Sequence, residues 1–109
     1  MKIKSVTTMK LLTKENLAML PPLGSQDSKG EEAIAQVKFF DPCGSWSWFA
    51  TEFDGEDTFF GLVDGLEMEL GYFSLSELAS FKGRLGIGIE RDRYWTPCSL
   101  KEIRESKGG

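Results

Sequence analysis

From Ala33 to Phe73 apolar residues return at nearly every second position, and three turn signals cut the stretch into four pieces. A strand puts successive side chains on opposite faces, so this period restricts the chain to half-buried β-structure there. The predicted strands are 33–40, 45–53, 58–63 and 66–73. Asp41-Pro42-Cys43-Gly44 has proline and glycine where a type I turn takes them. Asp54-Gly55-Glu56-Asp57 makes the second turn, and Asp64-Gly65 is a strong two-residue hairpin signal. In the second strand Trp46, Trp48 and Ala50 should share one face, with Ser47, Phe49, Thr51 and Phe53 on the other. In the fourth, Met68, Leu70 and Tyr72 should turn inward while Glu67 and Glu69 point away.

Helical signals flank this meander. Thr13 can cap a helix to about Leu20 with Leu17 and Leu20 on its apolar side, and Pro21-Pro22 must stop it. Gly24 to Glu32 reads as a mobile polar loop. Ser74-Leu75-Ser76-Glu77 and Ser99-Leu100-Lys101-Glu102 have the capping-box form, each opening a short helix. Ile87 and Ile89 lead toward a fifth strand through Glu90-Arg91-Asp92-Arg93. The expected class is α+β: an antiparallel four- to five-stranded meander with two or three short helices packed on one face. Residues 1–8 read as a flexible tail with Met9 an alternative first residue, 9–105 as one domain, and 106–109 as a second flexible tail.

Charge is distributed unevenly along the 109 residues. Between Lys38 and Lys82 there is no base but there are nine acids, whereas the flanks hold all thirteen bases against eight acids. A net charge of −4 excludes a molecule built wholly as a phosphate-binding surface, and the asymmetry points to an acidic face. Acids also sit naturally in hairpin turns and on solvated strand faces, which accounts for much of the run.

Nucleophile systems that need histidine are excluded, because the chain has none. Cys43 and Cys98, with no Cys-x-x-Cys spacing, make no structural zinc site and read as small buried or half-buried hydrophobes; a disulfide is allowed by parity only. Four carboxylates over Glu52–Asp57 lack the alternating pattern of a calcium loop. Gly86-Ile87-Gly88 lacks the rest of a dinucleotide fingerprint. The residues thus indicate no catalytic group, metal or cofactor. Without a secretory signal or a membrane-length apolar run, the reading is cytoplasmic with no membrane partner.

Five ordered blocks, LLTKE (11–15), GSWSWFATE (44–52), FFGLVDG (59–65), ELGYFSLSEL (69–78) and GIGIERD (86–92), closely resemble the family catalogued as domain of unknown function 2958. The resemblance spans about residues 9–100. It implies a context among plasmids, integrative elements and phages, near genes of DNA transfer and defence evasion, and it transfers no catalytic residue. Cys43 stands where the resemblance leads one to expect an aromatic, so its thiol is no family feature.

Three functions are open to such a chain. The first is a non-catalytic accessory protein engaging a basic nucleic-acid-handling or defence protein through Glu52, Asp54, Glu56, Asp57, Glu67 and Glu69. The second is a single-stranded nucleic-acid binder that stacks bases on Trp46 and Trp48 and holds phosphates with Arg91 and Arg93. The third is a small-ligand or metal-dependent enzyme using carboxylates in a sheet–helix cleft. The expected partner is a protein with a basic surface, ahead of nucleic acid.

Overall fold

A computed structural model describes residues 11–108; the tail expected over 1–8, the alternative start at Met9 and the terminal Gly109 lie outside them. Seven strands form: β1 (Ile34–Ala35), β2 (Val37–Phe40), β3 (Ser47–Phe53), β4 (Thr58–Asp64), β5 (Met68–Ser74), β6 (Glu90–Arg91) and β7 (Cys98–Ser99). The helices are α1 (Lys14–Met19), α2 (Leu75–Ser80) and α3 (Leu100–Gly108), joined by short 3-10 turns at Asp27–Glu32 and Arg84–Gly86. Five strands make an antiparallel sheet in the order β5-β4-β3-β2-β6, and β1 pairs with β7 in a separate ribbon. The α+β meander read from the sequence is therefore the fold, with β6 as the fifth strand. Residues 106–108, expected as tail, continue α3.

The strand register sorts the side chains. Val37 opposes Ala50, Phe39 opposes Trp48, Phe59 opposes Phe73, and all lie on a first face. There Phe39, Phe53, Phe59 and Phe73 form a chain of rings around Phe59, with centroids 4.5–5.4 Å apart. Each buried ring contributes roughly 1.5–3 kcal/mol of transfer free energy. Leu11, Leu12, Leu20, Leu75 and Leu78 close over them. On the second face Phe49 and Leu62 pack against Leu100 and Ile103 of α3 and against Ala33 and Ala35. The helices, expected on one face, divide between both because Phe49 and Ala50, adjacent in β3, each need cover.

Parity breaks once. Ala50 opposes Gly61, but Glu52 opposes Phe60, so Thr51 is an extra residue, a β-bulge. The bulge swings Phe53 onto the face of Ala50, where it stacks on Phe59, and not onto the face of Phe49 as strict alternation predicted. The orphaned backbone there is satisfied by other groups. The Thr51 hydroxyl donates to the Phe60 carbonyl at 3.0 Å, and Gln26 Nε2 donates to the Thr51 carbonyl at 2.7 Å. Phe53 N donates to the Pro21 carbonyl at 2.9 Å. Segment 21–26 thus lines β3 where β2 has ended.

The helix starts follow their caps. Thr13 and Asn16 exchange bonds at the head of α1, and Ser99 and Glu102 do so for α3. Leu20 is buried as expected, but Leu17 is exposed, because α1 is held by the buried residues at its two ends. Ser74 Oγ accepts from Glu77 N in α2. The return contact expected of Glu77 is replaced by Asp57, whose carboxylate accepts from Ser76 N and Ser76 Oγ, each at 2.8 Å.

Candidate functional site

The six acids expected to form one surface have separate duties. Glu52 is a correction: only 2% of it is exposed, and its carboxylate faces inward. Oε1 accepts from Gly24 N at 2.7 Å and Oε2 from Gln26 N at 2.8 Å. The bulge at Thr51 turns Glu52 to the second face, where the 24–26 loop lies across it. The loop read as mobile is tied down by this carboxylate and by Gln26, whose side chain also exchanges bonds with Ile34 N and Ile34 O. A cleft of about 170 Å³ opens beside them, lined in part by Asp27, Phe60, Leu70 and Leu100.

Asp54 and Asp57 serve the β3–β4 turn. Asp54 Oδ1 accepts from the amides of Glu56, Asp57 and Thr58 at 2.8–3.0 Å, and those amides hold its carboxyl below its ordinary value of 3.8. Asp57 is spent on α2, as above. Glu56 is exposed. In the adjacent hairpin Asp64 pairs with Lys107 at 3.2 Å.

Glu67 and Glu69 differ from these. Both are exposed, and neither takes an ion pair among the described residues. They flank a shallow trough of about 330 Å³ at the β4–β5 hairpin, with Trp46, Val63, Leu66, Gly71 and Tyr72. Its floor is backbone: a Cβ at Gly71 would meet nothing within 4 Å. One wall is Trp46, whose benzo carbons sit 2.6–2.7 Å from where a Cβ of Gly65 would be, so only glycine lets the indole lie there. Trp46 is 40% exposed, Leu66 93% and Tyr72 71%. An indole, bare peptide and two carboxylates with no ion pair among the described residues together make a surface suited to a cation carried on an alkyl stem.

The second candidate set is only partly assembled. Trp46 and Trp48 lie 6.0 Å apart with their planes tilted by 38°. Trp48 is half-buried against the first-face core. The register places Arg91, Phe39 and Trp48 in one row on that face, so the buried Phe39 stands between the guanidinium and the indole. Arg91 Nε donates to the Leu11 carbonyl at 3.1 Å, while Arg93 is exposed beside Tyr94. For the third reading, the described residues contain no group of three or more His, Cys, Asp or Glu placed to hold a metal ion. Both cysteines are free; burial, with Glu102 nearby, pushes the Cys98 thiol upward. Among the described residues no helix is long and apolar enough to cross a membrane.

Leu66, Leu70, Gly71 and Tyr72 were missed as surface residues by the sequence reading. Leu70-Gly71-Tyr72-Phe73 has apolar residues of both parities. Phe73 enters the first-face core, whereas on the second face Met68 is covered and Leu70 and Tyr72 are left exposed.

The family model described as "Protein of unknown function (DUF2958)" matches residues 11–102. The chain belongs to that family. No curated protein matches, and no solved structure matches.

Proposed function

We propose that this member of the domain of unknown function 2958 family is a non-catalytic accessory binding protein of a mobile genetic element, and that it engages a basic protein partner. The observation that carries this reading is the hairpin trough, where Glu67 and Glu69, in no ion pair among the described residues, stand beside the exposed Trp46. The acidic surface of the proposal is thereby narrowed. Glu67 and Glu69 form its centre, while Glu52, Asp54 and Asp57 hold the fold. A lysine or arginine entering the trough gains from both carboxylates and from the indole face, a cation–π contact of roughly 0.5–2 kcal/mol depending on desolvation. The net charge of −4 adds steering of a basic partner that salt would screen.

Tryptophan fluorescence tests the reading, with a lysine-rich peptide and a single-stranded oligonucleotide titrated in parallel. The peptide should shift emission at low salt, lose its effect at high salt, and be silent toward Glu67→Lys/Glu69→Lys. Quenching by the oligonucleotide with no response to the peptide would replace this reading by base stacking on Trp46 and Trp48.

A further inference from the structure

Among the described residues the outer side of β5 is an open sheet edge. Strand order places β5 at one end of the five-stranded sheet, with β4 its one neighbour among those residues. The ladder phase follows from its two ends. Leu75 N donates to the Asp57 carbonyl and Gly65 N to the Glu67 carbonyl. In an antiparallel pair the bonded positions recur every second residue, so Phe73, Gly71 and Glu69 bond to Phe59, Gly61 and Val63. The amides and carbonyls of Met68, Leu70 and Tyr72 therefore point away from β4, and among the described residues no backbone group pairs with them. Natural sheets usually protect such an edge with lysine, proline, a bulge or a covering segment. Along Met68–Ser74 there is no lysine or proline, and its ladder to β4 is regular.

We propose that β5 accepts an extended segment of the basic partner as a sixth strand, and that this segment alternates basic with apolar residues. The proposal rests on the basic-partner reading above and specifies how that partner is held. The alternation follows from what each side of the edge offers. On the first face an added strand runs beside Glu69 and Gly71, where a lysine or arginine opposite Gly71 can extend over bare backbone toward Trp46 and the two carboxylates. On the second face it runs beside Leu70, 45% exposed, and Tyr72, which pack against an aliphatic side chain. Outward amides and carbonyls at alternate residues supply the register, and side chains supply the selection. A second copy of the chain suits the edge less well, because it would bring another Glu67 and Glu69 and no lysine or arginine within β5.

Four synthetic peptides of about eight residues test this, that length covering the seven-residue edge. One alternates lysine and valine. One carries the same residues in two blocks. Two alternate but are N-methylated at every second residue, one in each register. The alternating peptide should protect the Leu70 and Tyr72 amides from hydrogen exchange, and one of the two possible N-methylated registers should weaken binding about tenfold or more. Leu70→Pro, whose missing N–H faces solvent in the free protein, should abolish binding, whereas Leu70→Ala should retain most of it. If the block and N-methylated peptides bind as well as the alternating one, strand addition is wrong and the basic-partner reading stands. If no peptide binds, both fall. Protection of Leu70 and Tyr72 that rises with protein concentration alone would assign the edge to a second copy and overturn the proposal.

Discussion

Glu52→Gln removes one charge from a carboxylate whose two oxygens both accept backbone N–H groups. Glutamine has a single acceptor oxygen, so either rotamer turns its NH2 toward a donor, at Gly24 N or at Gln26 N. The loss of one hydrogen bond to a charged acceptor costs about 1.5–3 kcal/mol, and a buried amide left facing a donor adds about 1–3 kcal/mol. Against this, a neutral side chain is easier to bury than a carboxylate. A net loss of about 2–4 kcal/mol is expected, a large share of the roughly 5–15 kcal/mol that holds a typical domain. Urea unfolding, with a slope of about 1–3 kcal/mol/M, reads this as a midpoint lowered by roughly 1–2 M with the slope unchanged. Glu56→Gln is the matched control: it alters net charge equally at an exposed site and should stay within about 0.5 kcal/mol of the parent. Equal midpoints for the two variants would refute the claim that Glu52 anchors the 24–26 loop.

Other substitutions probe separate contacts. Gly61 and Gly71 are register partners, yet a Cβ at Gly61 would lie 1.9 Å from the Phe49 carbonyl oxygen while one at Gly71 meets nothing. Gly61→Ala should lower stability by about 2–3 kcal/mol or more, and Gly71→Ala should change it by less than about 1 kcal/mol; comparable melting temperatures would count against the register. The Asp54 carboxyl is depressed in the folded state, so its contribution is present above the unfolded value near 3.8 and is lost as pH falls through the lower folded value. Asp54→Ala should therefore be less stable at neutral pH, by under about 1 kcal/mol at this solvent-screened site, with the gap closing in acid below that value; a gap that widens there would show the sign to be wrong. The Cys98 thiol, raised above its ordinary 9.0 by burial, should alkylate slowly at neutral pH and faster only in alkali, measured by mass spectrometry on a Cys43→Ser background.

The meander was legible because its signals are local. Asp54-Gly55 and Asp64-Gly65 announce their turns, Pro21 stops α1, and Thr13, Ser74 and Ser99 announce helix starts within four residues. Ala33, Ala35, Val37 and Phe39 are all buried, but the first two enter the second-face core and the last two the first-face core, a switch at Gln36 that the unbroken period does not show. What remained hidden depends on distant partners. The Thr51 bulge is invisible in Ala-Thr-Glu-Phe, since its cause is the Gln26 side chain and the Pro21 carbonyl arriving from 25–32 residues away. Without the bulge, Glu52 reads as one more surface acid, and the acidic site reads as six residues where two stand free beside the trough. On β5 the inward reading holds for Met68, which packs on the second-face core, but not for Leu70 and Tyr72, which are exposed, while Phe73 enters the first-face core against Phe59. Pairing of β1 with β7 joins residues more than sixty apart and has no local signature.

Because Thr51 shifts the phase of β3 by one position, the length of this strand is an element of information in its own right. If Thr51 instead paired opposite Phe60, strict alternation would send a carboxylate into the phenylalanine stack and a phenyl ring toward two expectant amides. Inserting one residue elsewhere between Ser47 and Ala50 would exchange the occupants of both cores. Variation in chain length among relatives should therefore gather in the connecting loops and spare these seven positions, however freely their side chains drift.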